Sequence, residues 1–167
     1  MSDIANLFKT LTHGIFVIGV SDGKKQNAFT AAWVMQASFD PLILVLSINP
    51  NHSSYVLLKE SKSFSVNVLN HRQRDLAAHF GGPASSNKLA SVAWHRGIGD
   101  LPVLDDALAY IECIFSHETP VGDHMLVVGS VVGGAIIKGG ERPLVYSDLG
   151  DMDDSAKYYP KAFATLT

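Results

Sequence analysis

The stretch ALAYIECIFSHETPVGDHMLVVGSVVGGAIIK, Ala107 to Lys138, decides the fold class. ALAYIECIFSHE and DHMLVVGSVVGGAIIK are rich in β-branched and aromatic residues, and TPVG between them punctuates, so they read as the two long strands of one hairpin. The glycines of GSVVGGAIIKGG lack the GxGxxG spacing that opens a dinucleotide-binding helix. Gly129, Gly133 and Gly134 instead mark bulges or close backbone approach within a strand.

Upstream, IFVIGV is a β-branched run ended by the turn SDGKKQ, and NAFTAAWVMQASF reads as a second strand that pairs with it in a hairpin. LILVLSI (Leu42 to Ile48) is apolar at every position but Ser47, the pattern of a strand buried on both faces. FSVNVL (Phe64 to Leu69) alternates as a half-buried strand, and PLVYS reads as a last strand. SSYVLLKES and RQRDLAAHF read as short helices. Ile4, Leu7, Phe8 and Leu11 stand at helical spacing behind Ser2 or Asp3 as N-cap. GGPASSNK and the residues up to Asp106 carry no regular pattern, and DLGDMDDSAKYYPKAFATLT reads as a polar tail with aromatic anchors. Six or seven strands with two or three short helices and no βαβ rhythm predict a mainly β, antiparallel barrel with peripheral helices. The expected division is one domain over 1–150 and a tail over 151–167.

The chain has 167 residues, of which 47% are hydrophobic and 17% charged. An average soluble domain carries about 25% charged residues. This composition excludes a disordered chain, and the low charge fits either a tightly packed monomer or surface buried in a subunit interface or cofactor slot. A net charge of −3 with scattered Lys and Arg argues against nucleic acid or an anionic membrane as the main partner. The lone Cys113 cannot form an intramolecular disulfide, and MSDIANLF lacks a signal-peptide pattern, so the expected location is the cytoplasm.

Several chemistries find no support. Phosphate-loop and GxSxG motifs are absent. The seven histidines form no HxH or HExxH pair, so no metal is expected. Asp151, Asp153 and Asp154 lack the glycine and glutamate of a calcium loop and read as a solvated acidic tail. Cys113 reads as a core thiol. Two segments say more. In NPNHSSY a strand ends at Pro50 and Ser53 or Ser54 caps a helix, whose free N–H groups, with Asn49 and His52, suit either an ordinary cap or an anion cradle. In NAFTAAW the small residues Thr30, Ala31 and Ala32 either form a packing stripe or let a flat ring lie against the backbone.

The ordered set NAFTAAWVMQASFDP, LSINPNHSSY, FSVNVL, DLAAHF, NKLASVAWHRGIGDLPVLDDALAYIEC, GDHMLVVGSVV and PLVY resembles the flavin reductase-like, FMN-binding split barrels, collinearly from about Leu11 to Tyr146. The resemblance implies an antiparallel split β-barrel of Greek-key type. It places Asn27, Phe29, Thr30, Ala31, Ala32 and Trp33 along the isoalloxazine and Ser47, Ile48 and Asn49 along the ribityl chain. His52, Ser53 and Ser54 fall at the phosphate, with His79 and Phe80 closing that side and Lys88 neutralising it. His124 falls where relatives receive the nicotinamide. The implied cofactor is FMN, with FAD as an alternative, and NAD(P)H as electron donor.

The implied activity is an NAD(P)H:FMN oxidoreductase that needs no catalytic side chain, because hydride transfer belongs to the cofactor. The implied assembly is a homodimer that serves a monooxygenase or a small redox protein. The rival reading is a flavoredoxin-like carrier that keeps FMN bound and exchanges electrons with a redox protein. A split-barrel oxidase, or a non-enzymatic flavin or haem binder, stands third. After PLVY, SDLGDMDD replaces the aromatic and basic segment of many relatives, which leaves the choice of nicotinamide nucleotide open.

Overall fold

The computed structural model describes residues 3–85, 87–152 and 154–163. Ser2, a candidate N-cap, and Asp153 of the acidic run lie outside the described residues. Strands β1 (Phe16–Ser21) and β2 (Gln26–Ala31) form the expected hairpin. The long pair is β8 (Ala109–Val121) and β9 (His124–Ile136), each 13 residues. The register shifts twice and bends the ribbon, at Glu112/Cys113 where Val132 of β9 is the extra residue and at Phe115/His117 where Ser116 of β8 is.

With β3 (Val34–Ser38), β4 (Ile43–Ile48) and β5 (Ser63–Val68), these strands make one seven-stranded sheet in the order β2-β1-β5-β8-β9-β4-β3. Every pairing is antiparallel. The predicted single strand from Asn27 to Phe39 is therefore two strands. They lie at opposite edges of the sheet, yet only Ala32 and Trp33 separate them. Three Cα steps span at most about 11 Å, so the sheet must curl until its edges meet at that corner. The result is an antiparallel split barrel.

Helix α1 (Asp3–Phe8) ends short of Leu11. Helices α2 (Ser53–Ser61) and α3 (Arg74–Gly81) fall where their patterns put them. Strands β6 (Trp94–Arg96) and β7 (Pro102–Leu104) form a small second sheet inside the segment read as irregular. PLVYS is not a strand: it contributes only isolated bridges, Gly14 with Val145 and Asn70 with Pro143, and then turns into 3-10 helix at Tyr146–Met152.

Two apolar cores flank the sheet. Ile18, Val20, Phe29, Leu46, Phe64 and Val127 fill the barrel, while Val17, Ala28, Leu69, Phe80, Leu104 and Leu144 pack on the other face of β1 and β2. Alternate residues of β1 thus serve different cores, which explains why FVIGV is apolar throughout. The readings of β4 and β5 exchange. β4 fully buries only alternate residues, and Ile43, Val45 and Ser47 between them are half-buried. β5 is buried at Phe64, Ser65, Val66 and Asn67. Its polar face meets backbone rather than water: Ser65 donates to the Pro102 carbonyl, and Asn67 donates to Val17 O at 3.0 Å and accepts from Leu104 N–H at 2.8 Å. These bonds fasten the β6–β7 hairpin to the sheet. Gly19 sits in the same place, where a Cβ would lie 2.5 Å from the Pro102 carbonyl oxygen.

Candidate functional site

The corner where the sheet edges meet opens into a cavity of about 720 Å³. Phe29, Thr30, Ala31, Ala32 and Trp33 line it from the β2–β3 turn, Ser47, Ile48 and Asn49 from the end of β4, and His124 from the start of β9. Small side chains at 31 and 32 leave the backbone of the turn close to whatever occupies the space. Thr30 is anchored, donating its hydroxyl to Ala77 O of α3 at 2.7 Å. Trp33 accepts from Ser47 N–H at 2.9 Å through its carbonyl, and its ring leans on His124 with centroids 5.0 Å apart. His124 Nδ1 lies 2.7 Å from the Asp123 carboxylate, and that bond holds Asp123 below the usual carboxylate range.

A second cavity, of about 300 Å³, adjoins the first and shares Phe29 and His52 with it. Its lining includes Asn27, Ser53, Ser54 and Lys88. Asn27 donates to Ser54 Oγ at 3.0 Å. Helix α2 points its first turn here, and its N-cap is His52 rather than either serine. A histidine can do this because its Nδ1, three bonds from Cα, reaches the Ser54 N–H at 3.2 Å. Lys88 is buried, its ammonium donating to Phe80 O at 2.9 Å and Gly82 O at 2.7 Å, and burial lowers its pKa.

The side chains of His79 and Phe80 are not among the residues that line either cavity. Phe80 faces the outer core, where the apolar side of α3 is buried. His79 Nε2 meets the Lys88 carbonyl at 2.7 Å. Both act on the second cavity only through Lys88. All the other predicted site residues line one cavity or both. Cys113 lines neither cavity; it is buried in the barrel core, and desolvation pushes its thiol to about 12.

Residues from the two ends of the chain also line the first cavity. They include Phe8, Lys9 and His13 on one side and Tyr146, Tyr158 and Tyr159 on the other. Phe8 and Tyr159 stack with centroids 5.4 Å apart, and Tyr146 sets its hydroxyl 3.0 Å from Ser155. The sequence marked the tail aromatics as anchors, and nothing in their spacing showed that they anchor at this cavity.

The fold is thus an antiparallel split barrel with two adjoining cavities at the corner where its sheet edges meet. The profile of the flavin reductase like domain matches residues 8–153, and the chain belongs to that family. Curated relatives include diflavin flavoprotein A 1 of Synechocystis sp., 28% identical over 82% of this chain and 24% of that protein. Another is the high molecular weight rubredoxin of Moorella thermoacetica, 29% identical over 83% of this chain and 62% of that protein. The chain thus spans only about a quarter of the first and less than two-thirds of the second. Among solved structures, the flavin reductase HpaC complexed with NADP+ is 26% identical with a TM-score of 0.77, covering 87% of this chain and 94% of that one. The FMN-binding protein from Thermus thermophilus with bound 1-cyclohex-2-enone is 26% identical with a TM-score of 0.75, covering 85% and 84%. Among the described residues no helix is long and apolar enough to cross a membrane.

Proposed function

We propose that the protein binds FMN and transfers reducing equivalents from NAD(P)H through it. The observation that carries this reading is the continuity of the two cavities through Phe29 and His52. The wide cavity, backed by the Ala31–Trp33 backbone, takes the isoalloxazine, with Ser47, Ile48 and Asn49 beside the ribityl chain. The narrow one offers hydrogen-bond donors and a cation to the phosphate: Ser53 and Ser54 at the head of α2, and Lys88. FAD is the alternative occupant of the same slot.

Bound FMN supplies the redox chemistry by accepting a hydride, two electrons with one proton, from the nicotinamide. The protein's share would be to bring the two rings within reach of each other in this slot. His124, braced by Asp123 and Trp33, forms one wall of that slot. Tyr146, Tyr158 and Tyr159 line the same cavity.

Anaerobic addition of NADH or NADPH to the FMN-loaded protein should bleach the flavin spectrum within the mixing time of a turnover assay. No bleaching by either nucleotide, with ready reduction by a small redox protein, would favour the electron-carrier reading, which the rubredoxin relative also motivates. In the same assay His124→Ala should raise KM for the nicotinamide a few-fold to about tenfold, the loss of one ring contact. FMN affinity should change less than KM, and equal effects on both would reassign His124 to structure.

We also propose a homodimer. Met35 and Phe39 on and beside β3, and Ile114, Val132 and Ile136 on β8 and β9, are exposed, Phe39 to 87%. A second copy would account for so much apolar surface on a chain of low charge. A sedimentation mass of one chain at micromolar concentration would refute it.

A further inference from the structure

The ring of His52 lies at the junction of the two cavities, where an imidazolium would be an obvious partner for a phosphate. Its bonding argues for another role. The backbone of His52 is extended (φ −67°, ψ 132°), as an N-cap requires, and its Nδ1 accepts from Ser54 N–H. A nitrogen that accepts from an N–H carries no proton, so the ring is neutral with its hydrogen on Nε2. The His52 carbonyl accepts from Tyr55 N–H at 2.9 Å, so one residue secures the first turn of α2 twice. The ring leans on Phe29 at an interplanar angle of 43°, with centroids 4.6 Å apart.

Resting on the FMN reading above, we propose that His52 is a neutral positioning residue: it fixes the N-terminus of α2 at the phosphate pocket, while Lys88 supplies the counter-charge. The surroundings suit this division. Lys88 is the charged side chain that acts on the ring, and it repels a second positive charge. From the other elements, Asn27 on β2, Asn49 after β4 and Ser53 and Ser54 on α2 are uncharged. His79 on α3 is engaged with the Lys88 carbonyl, and His124 on β9 with Asp123.

Burial and Lys88 together hold the imidazole below its ordinary 6.5. The native state therefore resists protonation, and the contribution of the cap is present above pH 6.5 and lost as pH falls below it. A phosphate-pairing imidazolium has the opposite sign, because it would strengthen FMN binding as it gains its proton.

The test compares FMN dissociation constants from pH 8 to 5 for the wild type, His52→Asn and His52→Ala. Asparagine keeps the cap acceptor and cannot titrate. At pH 8 His52→Asn should bind within a few-fold of wild type, and His52→Ala should be about 2- to 30-fold weaker, the cost of a lost cap. Below pH 6.5 the wild type should lose affinity more steeply than His52→Asn, whose residual slope belongs to the phosphate itself. A wild-type slope shallower than that of His52→Asn, or His52→Asn no better than His52→Ala at pH 8, overturns the proposal. If none of the three binds FMN, the reading of the site fails on its own account. Thermal denaturation then decides the role of His52. A wild-type Tm that falls relative to His52→Asn below pH 6.5 supports the neutral cap, and parallel curves reject it.

Discussion

Replacing Lys88 by Met should weaken FMN binding about ten- to a hundredfold. Methionine keeps most of the buried stem and removes the ammonium. That ammonium has three donors, of which two are committed to the carbonyls of Phe80 and Gly82 at the C-terminal end of α3. The third remains for the pocket that Lys88 lines with Ser53 and Ser54. One charge-assisted hydrogen bond is worth about 1.5–3 kcal/mol, and every 1.4 kcal/mol is tenfold in affinity. Quenching of flavin fluorescence on titration reads the change. Riboflavin, which lacks the phosphate, is the control and should lose little. Equal losses for FMN and riboflavin would mean that Lys88 acts by shaping the 80–88 loop and carries no phosphate.

The second large effect is on stability. Phe64→Ala should destabilise the fold by about 3–5 kcal/mol, the range for truncating a fully buried phenylalanine. In a chain of this length that corresponds to a fall in Tm of about 6–20 °C. Phe64 is 0% exposed and belongs to the barrel core. Across from it, Gly129 on β9 has no side chain because the ring occupies its place: a Cβ there would lie 2.6 Å from the Phe64 ring. The cavity left by the truncation cannot be filled from that side. Phe64 lines neither cavity, so calorimetry should show the loss while FMN affinity at 25 °C holds. A Tm within 3 °C of wild type would show that the barrel core collapses around the gap.

Local patterns made the long hairpin, the first hairpin and helices α2 and α3 readable, since each rests on periodicity and turn residues within one segment. The break after Ala31 was not readable. VMQAS continues the same composition, and only the closure of the whole sheet sends it to the other edge. β5 looked half-buried because Ser65 and Asn67 are polar. Their partners, the backbone of Val17, Pro102 and Leu104, come from remote segments. The site divides in the same way. Motif order located the β2–β3 turn, the head of α2, Lys88 and His124. The N-cap role of His52 and the arrival of Tyr158 and Tyr159 at the cavity depend on tertiary packing, which spacing does not encode.

The corner at Ala32 and Trp33 joins the two edges of the sheet by covalent chain, and no ladder of hydrogen bonds joins β2 to β3. Among the described residues the outer edge of β2 has no neighbouring strand, and such an edge is a template on which another polypeptide can pair. In this barrel the same edge runs along the ring slot. A flat ligand bonded to the Thr30–Trp33 backbone would occupy the groups that a foreign strand would need. Cofactor loading would then act as edge protection, and the ligand-free protein would be the form most prone to aggregate.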